Sequence, residues 1–284
     1  MKELLRLEHV YFKYEDKYPA LQDVSVTLYK GERVAVLGGN GAGKSTFFLC
    51  CNGVLCPQSG KIFLKEQEIT GSKNDISMLR RAVGLVFQEP DSQIIAGTVE
   101  NEVSFGPMNL RLSYDEVESR VMQSLTQMNL DGYRKRAPQY LCVGEKKRVC
   151  VADILAMQPD VVLLDEPTTS LDPENLAMLE QTLEDLSLAG ITLVVSTHDV
   201  DFAYRFATRA VVFSHGEVIA NTSIDDAFAS DELLLRAGLK KPLLYAAAEW
   251  LEKRFLITDT SKKPRTIDEF RNYIDANCAG LTNS

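Results

Sequence analysis

Apolar residues recur along the chain in short, dense runs. Arg33-Val34-Ala35-Val36-Leu37, Ala82 to Phe87, Val161 to Leu164, Thr192 to Ser196 and Ala210 to Phe213 are nearly continuous in apolar character. Unbroken rather than alternating apolarity marks strands covered on both faces, and helical patterns separate the runs. The expectation is an α/β fold on a mainly parallel sheet. Between the second and third runs the pattern changes. Ser113-Tyr114-Asp115-Glu116 has the form of a capping box that opens a helix. Val117, Val121, Leu125 and Met128 then fall on one helical face. A mostly helical insert is therefore expected from about 91 to 158. Residues 1 to about 220 read as one unit, and 221–284 as a small helical C-terminal extension. That extension carries a Lys262-Lys263-Pro264-Arg265 loop and a second capping box at Thr266 to Glu269. The basic run Lys146-Lys147-Arg148 reads as a solvated helix face. No internal repeat or low-complexity segment interrupts the pattern.

Composition narrows the function classes. The formal net charge is -9, with 45% hydrophobic and 25% charged residues. An acidic chain gives no global case for nucleic-acid binding, though a local cradle can still hold an anion. No apolar run approaches the roughly 20 residues that span a bilayer. Met1-Lys2-Glu3-Leu4-Leu5-Arg6 is too short and too charged for a secretory leader. The expected location is the cytosol, or the membrane periphery through a partner. Cysteines stand at 50, 51, 56, 142, 150 and 278 without a Cys-x-x-Cys pair. They read as reduced, mostly buried small hydrophobes rather than a zinc site. His9, His198 and His215 lie too far apart in sequence to suggest a local metal cluster.

Two segments carry chemistry by themselves. Gly38-Gly39-Asn40-Gly41-Ala42-Gly43-Lys44-Ser45 fits G-x-x-x-x-G-K-[ST], with a strand before it and a helical run opening at Thr46 after it. Glycines let backbone N–H groups wrap a phosphate, and the following helix adds the positive end of its dipole. Lys44 suits the β- and γ-phosphates of a nucleotide, and Ser45 suits Mg²⁺. The Val161 to Leu164 strand then ends in Asp165-Glu166. Asp165 fits the Mg²⁺ shell, and Glu166 can orient or deprotonate an attacking water. Either segment alone has a bland reading, a Gly-rich turn or a solvated strand end. Together they define a P-loop NTPase site with Mg²⁺, without saying which kind.

Further residues resemble the ATP-binding-cassette family. Tyr14 precedes the Arg33 strand, where that family stacks an aromatic ring on adenine; Tyr11, Phe12 and Tyr18 compete for the role. Gln88 ends the Ala82 to Phe87 strand like the family's Q-loop glutamine, which links the γ-phosphate and the metal to the helical subdomain. Leu141-Cys142-Val143-Gly144-Glu145 stands where the family's signature sequence belongs. Ser170-Leu171-Asp172 resembles the D-loop, with Asp172 also a candidate helix cap before Pro173. His198 resembles the switch histidine. The match covers about 220 residues, in order and at the family's spacing. The resemblance implies a cassette with a mainly parallel core sheet, an antiparallel β subdomain and a helical subdomain. It also implies an ATP sandwich, in which two cassettes pack head to tail. Each nucleotide would lie between one chain's phosphate loop and the other's signature. Gln88, Glu166 and His198 would be the catalytic residues.

The signature departs from the common Leu-Ser-Gly-Gly-Gln. Cys142 replaces serine and is the weaker hydrogen-bond donor. Val143 replaces a glycine and cannot readily take glycine's backbone angles. Glu145 for glutamine is a familiar variation. The expectation is a weakened signature beside an intact phosphate-binding half. Val86-Phe87-Gln88-Glu89-Pro90-Asp91-Ser92-Gln93 and Val103-Ser104-Phe105-Gly106-Pro107 resemble the cobalt and energy-coupling-factor ATPases, and tail segments at Ala237 to Pro242 and Pro264 to Ile267 resemble the cobalt-type member's extension. That resemblance implies a peripheral subunit on the cytoplasmic face of the cell membrane. It would work with a second cassette ATPase, a transmembrane coupling subunit and a substrate-binding membrane subunit. A cobalt or nickel importer is the first expectation, and a vitamin importer the second. A soluble cassette protein of DNA repair or translation is a different-class alternative. It is disfavoured because those proteins usually carry paired cassettes or a long coiled-coil insert.

Overall fold

The computed structural model describes residues 2–15, 18–255 and 263–278. The chain opens with β1 (Glu3–Tyr14), β2 (Tyr18–Tyr29), β3 (Arg33–Leu37), α1 (Lys44–Cys51), β4 (Ser59–Leu64), β5 (Gln67–Glu68), α2 (Lys73–Ala82) and β6 (Val83–Val86). Three helices follow, α3 (Val99–Asn109), α4 (Tyr114–Gln127) and α5 (Val143–Ala156). Next come β7 (Val161–Asp165), α6 (Pro173–Leu188), β8 (Thr192–Thr197), α7 (Val200–Phe206), β9 (Arg209–Ser214) and β10 (Glu217–Ser223). The last described elements are α8 (Ile224–Ala229), α9 (Asp231–Ala237), α10 (Leu243–Phe255) and α11 (Ile267–Cys278).

Six strands form one sheet in the order β10-β9-β3-β8-β7-β6. All neighbours within it pair in parallel except β10, which turns back on β9. Five of its six strands are the five apolar runs of the sequence, trimmed or extended by a residue or two; β10 is not among those runs. Side chains alternate across a strand, so a sheet packed on both faces splits each strand between two cores. That split is visible in β3. Ala35 and Leu37 join one core with α3 to α7, while Val34 and Val36 join another with β1, β2 and α1. β7 divides the same way, Val162 and Leu164 against Val161 and Leu163. The second sheet, β2-β1-β4-β5, is antiparallel and lies over the second core. The parallel core sheet and antiparallel β subdomain expected of the chain are both present.

The helical insert is anchored by its own apolar stripe. Ser113 caps α4 by accepting the Glu116 N–H, and Val117, Val121, Leu125 and Met128 are all buried. Past residue 220 the packing continues without a break, since Ile224, Phe228, Leu234, Ala237 and Tyr245 belong to the same core as β7 and β8. Thr266 caps α11 by accepting the Glu269 N–H, while the Glu269 carboxylate accepts the Arg265 N–H. Residues 263–265 precede that helix without regular structure, and Lys262 lies outside the described residues. Cys50, Cys51 and Cys150 are buried as expected, but Cys56 and Cys142 are exposed; the Cys278 side chain lies outside the described residues.

Candidate functional site

The phosphate-loop motif is built by close backbone approach at its two ends. Where β3 ends, Gly38 takes φ 146, and a Cβ there would lie 2.4 Å from the Phe213 carbonyl oxygen of β9. At the entry to α1, Gly43 takes φ 109, with a notional Cβ 2.6 Å from the Ala20 carbonyl oxygen. Only glycine fits such positions without moving backbone. The loop between them is held from outside. The Gly39 N–H donates to the Ala237 carbonyl at the end of α9 (3.1 Å), and the Gly216 N–H donates to the Ala42 carbonyl (2.9 Å). No side chain caps α1, so its first N–H groups are left for an anion, and the helix dipole favours one. Lys44 is buried, and its Nζ donates to the Gly38 (2.8 Å) and Gly39 (3.2 Å) carbonyls. Burial lowers its pKa, opposed by the nearby carboxylates of Glu166 and Asp165.

The end of β7 faces this loop. Glu166 Oε1 is 3.8 Å from Lys44 Nζ. The Ser196 hydroxyl donates to the Asp165 carboxylate. The Glu166 N–H donates to the Ser196 carbonyl (3.0 Å), which fixes the peptide across from β8. Glu166 is a non-glycine residue at φ 45 and its side chain is buried. His198 Nδ1 lies 2.9 Å from Glu166 Oε2, yet that oxygen receives no aligned hydrogen bond. A buried carboxylate oxygen with an unused lone pair can accept a proton from a water.

These parts line one cleft of about 520 Å³. It gathers Tyr14, Asn40, Gly41, Ala42, Gly43, Lys44, Ser45, Thr46, Gln88, Asp165, Glu166 and His198, with Tyr18, Pro19 and Ala20 alongside. Gly38 and Gly39 form the stem behind it. The Tyr14 hydroxyl is 3.3 Å from Thr46 Oγ1, and its ring meets Phe12 edge-on at 5.0 Å. Of the aromatics in competition with Tyr14, Tyr18 lines the cleft, whereas Tyr11 and Phe12 do not. The cleft suits a nucleoside triphosphate, with a basic, N–H-rich floor and a tyrosine wall. Ser45, Gln88 and Asp165 offer it oxygen donors of the type that Mg²⁺ takes.

Residues 141–145 do not line this cleft. Leu141 is buried in the helical core. Cys142 caps α5, its Sγ accepting the Glu145 N–H (3.4 Å) while Glu145 Oε2 accepts the Cys142 N–H (2.8 Å). Burial raises the Glu145 pKa, but the bonds from the Cys142 N–H and the Tyr133 hydroxyl outweigh it and hold the carboxyl below its ordinary range. Cysteine therefore replaces serine here as a cap. The backbone difficulty expected at Val143 does not arise, because Val143 occupies the first turn of α5 and has no positive φ. At Gly144 a Cβ would lie 2.3 Å from the end of the Asn175 side chain, which would have to move aside. Asp172 caps α6, accepting the Asn175 N–H (2.9 Å) and its side-chain amide (2.7 Å). The start of α5 thus lies beside Asn175, the residue that Asp172 holds at the start of α6.

The solvated face expected of Lys146-Lys147-Arg148 is not what forms. Lys146 pairs with Asp91, Arg148 donates to the Met128 carbonyl, and Lys147 is buried. Lys147 Nζ donates to the carbonyls of Thr169, Pro167 and Glu166. Its burial was legible in principle. Gly144, Lys147, Val151 and Leu155 are buried at spacings of three and four, so Lys147 sits on the apolar stripe of α5.

Known proteins extend the picture. Residues 21–169 match the ABC transporter family. An energy-coupling factor transporter ATP-binding protein of Methanothermobacter thermautotrophicus is 46% identical over 239 residues, 84% of this chain and 77% of that one. Among solved structures, CbiO1 of Clostridium perfringens, described as part of the ABC transporter complex cbiONQ, superposes with a TM-score of 0.75 at 33% identity, over 90% of this chain and 97% of that one. The ATP-binding cassette MJ0796, in a dimeric post-hydrolysis state bound to ADP and Pi, gives 0.69 at 28% identity, over 78% of this chain and 99% of that one.

Proposed function

The chain belongs to the ABC transporter family, in its energy-coupling-factor branch, and from that premise we propose that it energises a membrane importer of cobalt or nickel by hydrolysing ATP in the cleft between β3, β7 and α1. One observation carries the placement of the chemistry: a buried carboxylate, Glu166, stands between His198 Nδ1 at 2.9 Å and the buried Lys44 ammonium at 3.8 Å, on the wall of the phosphate-loop cleft.

In this reading Tyr14 stacks on the adenine. Backbone N–H groups of residues 38–46 and the Lys44 ammonium hold the phosphates. Ser45, Asp165 and Gln88 hold Mg²⁺, which neutralises the phosphate charge when bound. Glu166 takes the proton of the attacking water as its oxygen bonds to the γ-phosphorus and the bond to the β,γ-bridging oxygen breaks. His198 orients Glu166 and the γ-phosphate. Catalysis is positioning plus charge stabilisation.

Residues 141–145 lie outside this chain's own cleft, which supports a site completed by a second cassette ATPase. Leu141 to Glu145 and Asp172 then serve the nucleotide bound by the partner. Residues 1 to about 220 form the cassette and 221–284 its extension. No described helix is long and apolar enough to cross a membrane, so translocation falls to separate coupling and substrate-binding membrane subunits. The chain then works peripherally, at the cytoplasmic face. The Val86 to Gln93 and Val103 to Pro107 segments support the cobalt and energy-coupling-factor group as a whole; the preference for cobalt or nickel rests on the tail segments Ala237 to Pro242 and Pro264 to Ile267, and the CbiO1 likeness is consistent with it.

The test is reconstitution in vesicles with the candidate membrane subunits. ATP-dependent uptake of Co²⁺ or Ni²⁺ supports the reading, and uptake of a vitamin instead moves it to the runner-up. Purification with nucleic acid or ribosomes, and with no polytopic membrane protein, overturns it.

A further inference from the structure

Lys147 stands one turn inside α5, the helix that Cys142 caps and that carries the signature residues at its N-terminus. It is 6% exposed, and all three donors of its ammonium are spent on one loop, at 2.6 Å to the Thr169 carbonyl, 3.1 Å to Pro167 and 3.3 Å to Glu166. That loop holds itself poorly. Glu166 (φ 45) and Ser170 (φ 63) both occupy the left-handed region, which is costly for residues with a Cβ. Its internal bonds are long, 3.3 Å from the Thr169 N–H to the Glu166 carbonyl and 3.4 Å from the Leu171 N–H to the Thr168 carbonyl. A buried lysine is a poor way to fill volume, since an apolar side chain would do so without desolvating a charge. Its three bonds instead fix where the Glu166 peptide, and hence the carboxylate, points.

We propose that Lys147 is a positioning residue that ties the Glu166 loop to α5, so that the seating of the signature segment on the partner's nucleotide sets the aim of this chain's own Glu166. This rests on the assignment of Glu166 as the base. The lever is short: the signature begins at Leu141, the tether is Lys147, and the responding residue is Glu166. α5 also packs against α6, with Gly144 beside the Asn175 side chain, so both α5 and its neighbour border the loop between β7 and α6.

The test compares the full-length wild type with Lys147→Met, Lys147→Arg and Glu166→Gln. Nucleotide affinity is measured by titration with ATP without Mg²⁺, and turnover by phosphate release. Misaiming a catalytic group by about 1 Å costs about a hundredfold. Lys147→Met should lower kcat by about tenfold to a hundredfold and leave ATP affinity and KM within about twofold. Lys147→Arg, which restores charged donors, should recover part of the loss. A merely structural lysine predicts a lower Tm with kcat of the folded protein unchanged, or kcat and affinity falling together; either result overturns the proposal. If Lys147→Met does not fold, Lys147→Gln replaces it, and wild-type kcat in that variant overturns the proposal as well. Glu166→Gln separates the two readings. If it turns over like wild type, the base assignment is wrong. If it is inactive while Lys147→Met is fully active, only the tether is wrong.

Discussion

Gly38→Ala isolates the contact that shapes the phosphate loop, and Gly41→Ala is its internal control. Both glycines have positive φ, 146 at Gly38 and 75 at Gly41. A side chain pays roughly 1–2 kcal/mol for a left-handed backbone. They differ in what a Cβ meets. At Gly41 nothing lies within 4 Å, whereas at Gly38 the Phe213 carbonyl oxygen is 2.4 Å away and belongs to the sheet, so it cannot swing aside. Forcing atoms into packed structure adds roughly 1–3 kcal/mol. Gly38→Ala should therefore destabilise by about 2–5 kcal/mol and Gly41→Ala by about 1–2 kcal/mol. At about 2–4 °C of Tm per kcal/mol for a chain near this size, the two variants should melt about 2–12 °C apart. Calorimetry of the nucleotide-free proteins reads this directly, because no ligand then reports on the loop. Equal melting temperatures, or a more stable Gly38→Ala, would refute the claim that close approach of β9 dictates this glycine.

Lys44→Ala should weaken ATP binding by about tenfold to a hundredfold, the worth of a charged hydrogen bond to phosphate, as read by calorimetric titration. Cys142→Ser should raise ATP turnover measured with the membrane subunits present, by providing a stronger donor at the partner's nucleotide; no increase would mean that the cysteine costs nothing. Burial pushes the Asp153 pKa up to about 7, and the Gln93 amide that reaches its carboxyl (3.3 Å) only partly offsets this. Its folded-state pKa lies above that of the unfolded chain, so between about pH 4 and 7 the native state holds a proton that the unfolded chain gives up. Stability falls through that window and levels off above it. Asp153→Asn should match wild type near pH 4 and exceed it at pH 8 by about 4 kcal/mol in urea unfolding.

Strands of the parallel sheet were legible because burial on both faces leaves an unbroken apolar run, as in Val161 to Leu164. The phosphate loop was legible because its chemistry needs fixed residues at fixed spacing. β1 and β2 were not read from pattern, and their register shows why. Pairing shifts between Leu7 and Val10, Val10 and Phe12, and Phe12 and Lys13, so no single alternation runs the length of either strand. Lys147 was misread because charge in a basic run suggests solvent, while its place on the α5 stripe suggests burial, and position prevailed. The concern over Val143 came from residue identity without conformation; at the first turn of a helix, valine needs no unusual angle. The left-handed φ of Glu166 had no local sequence signal; its backbone N–H and carbonyl are bonded to Ser196 and Lys147, both distant in sequence.

The most direct test of the ATPase site is Glu166→Gln assayed for phosphate release and for retained nucleotide on the same preparation. The amide keeps the shape of the carboxylate but cannot take a proton from water. ATP should remain bound with near wild-type affinity while phosphate release falls by about a hundredfold or more, the scale of a lost general base. Wild-type phosphate release from this variant would contradict the assignment of Glu166.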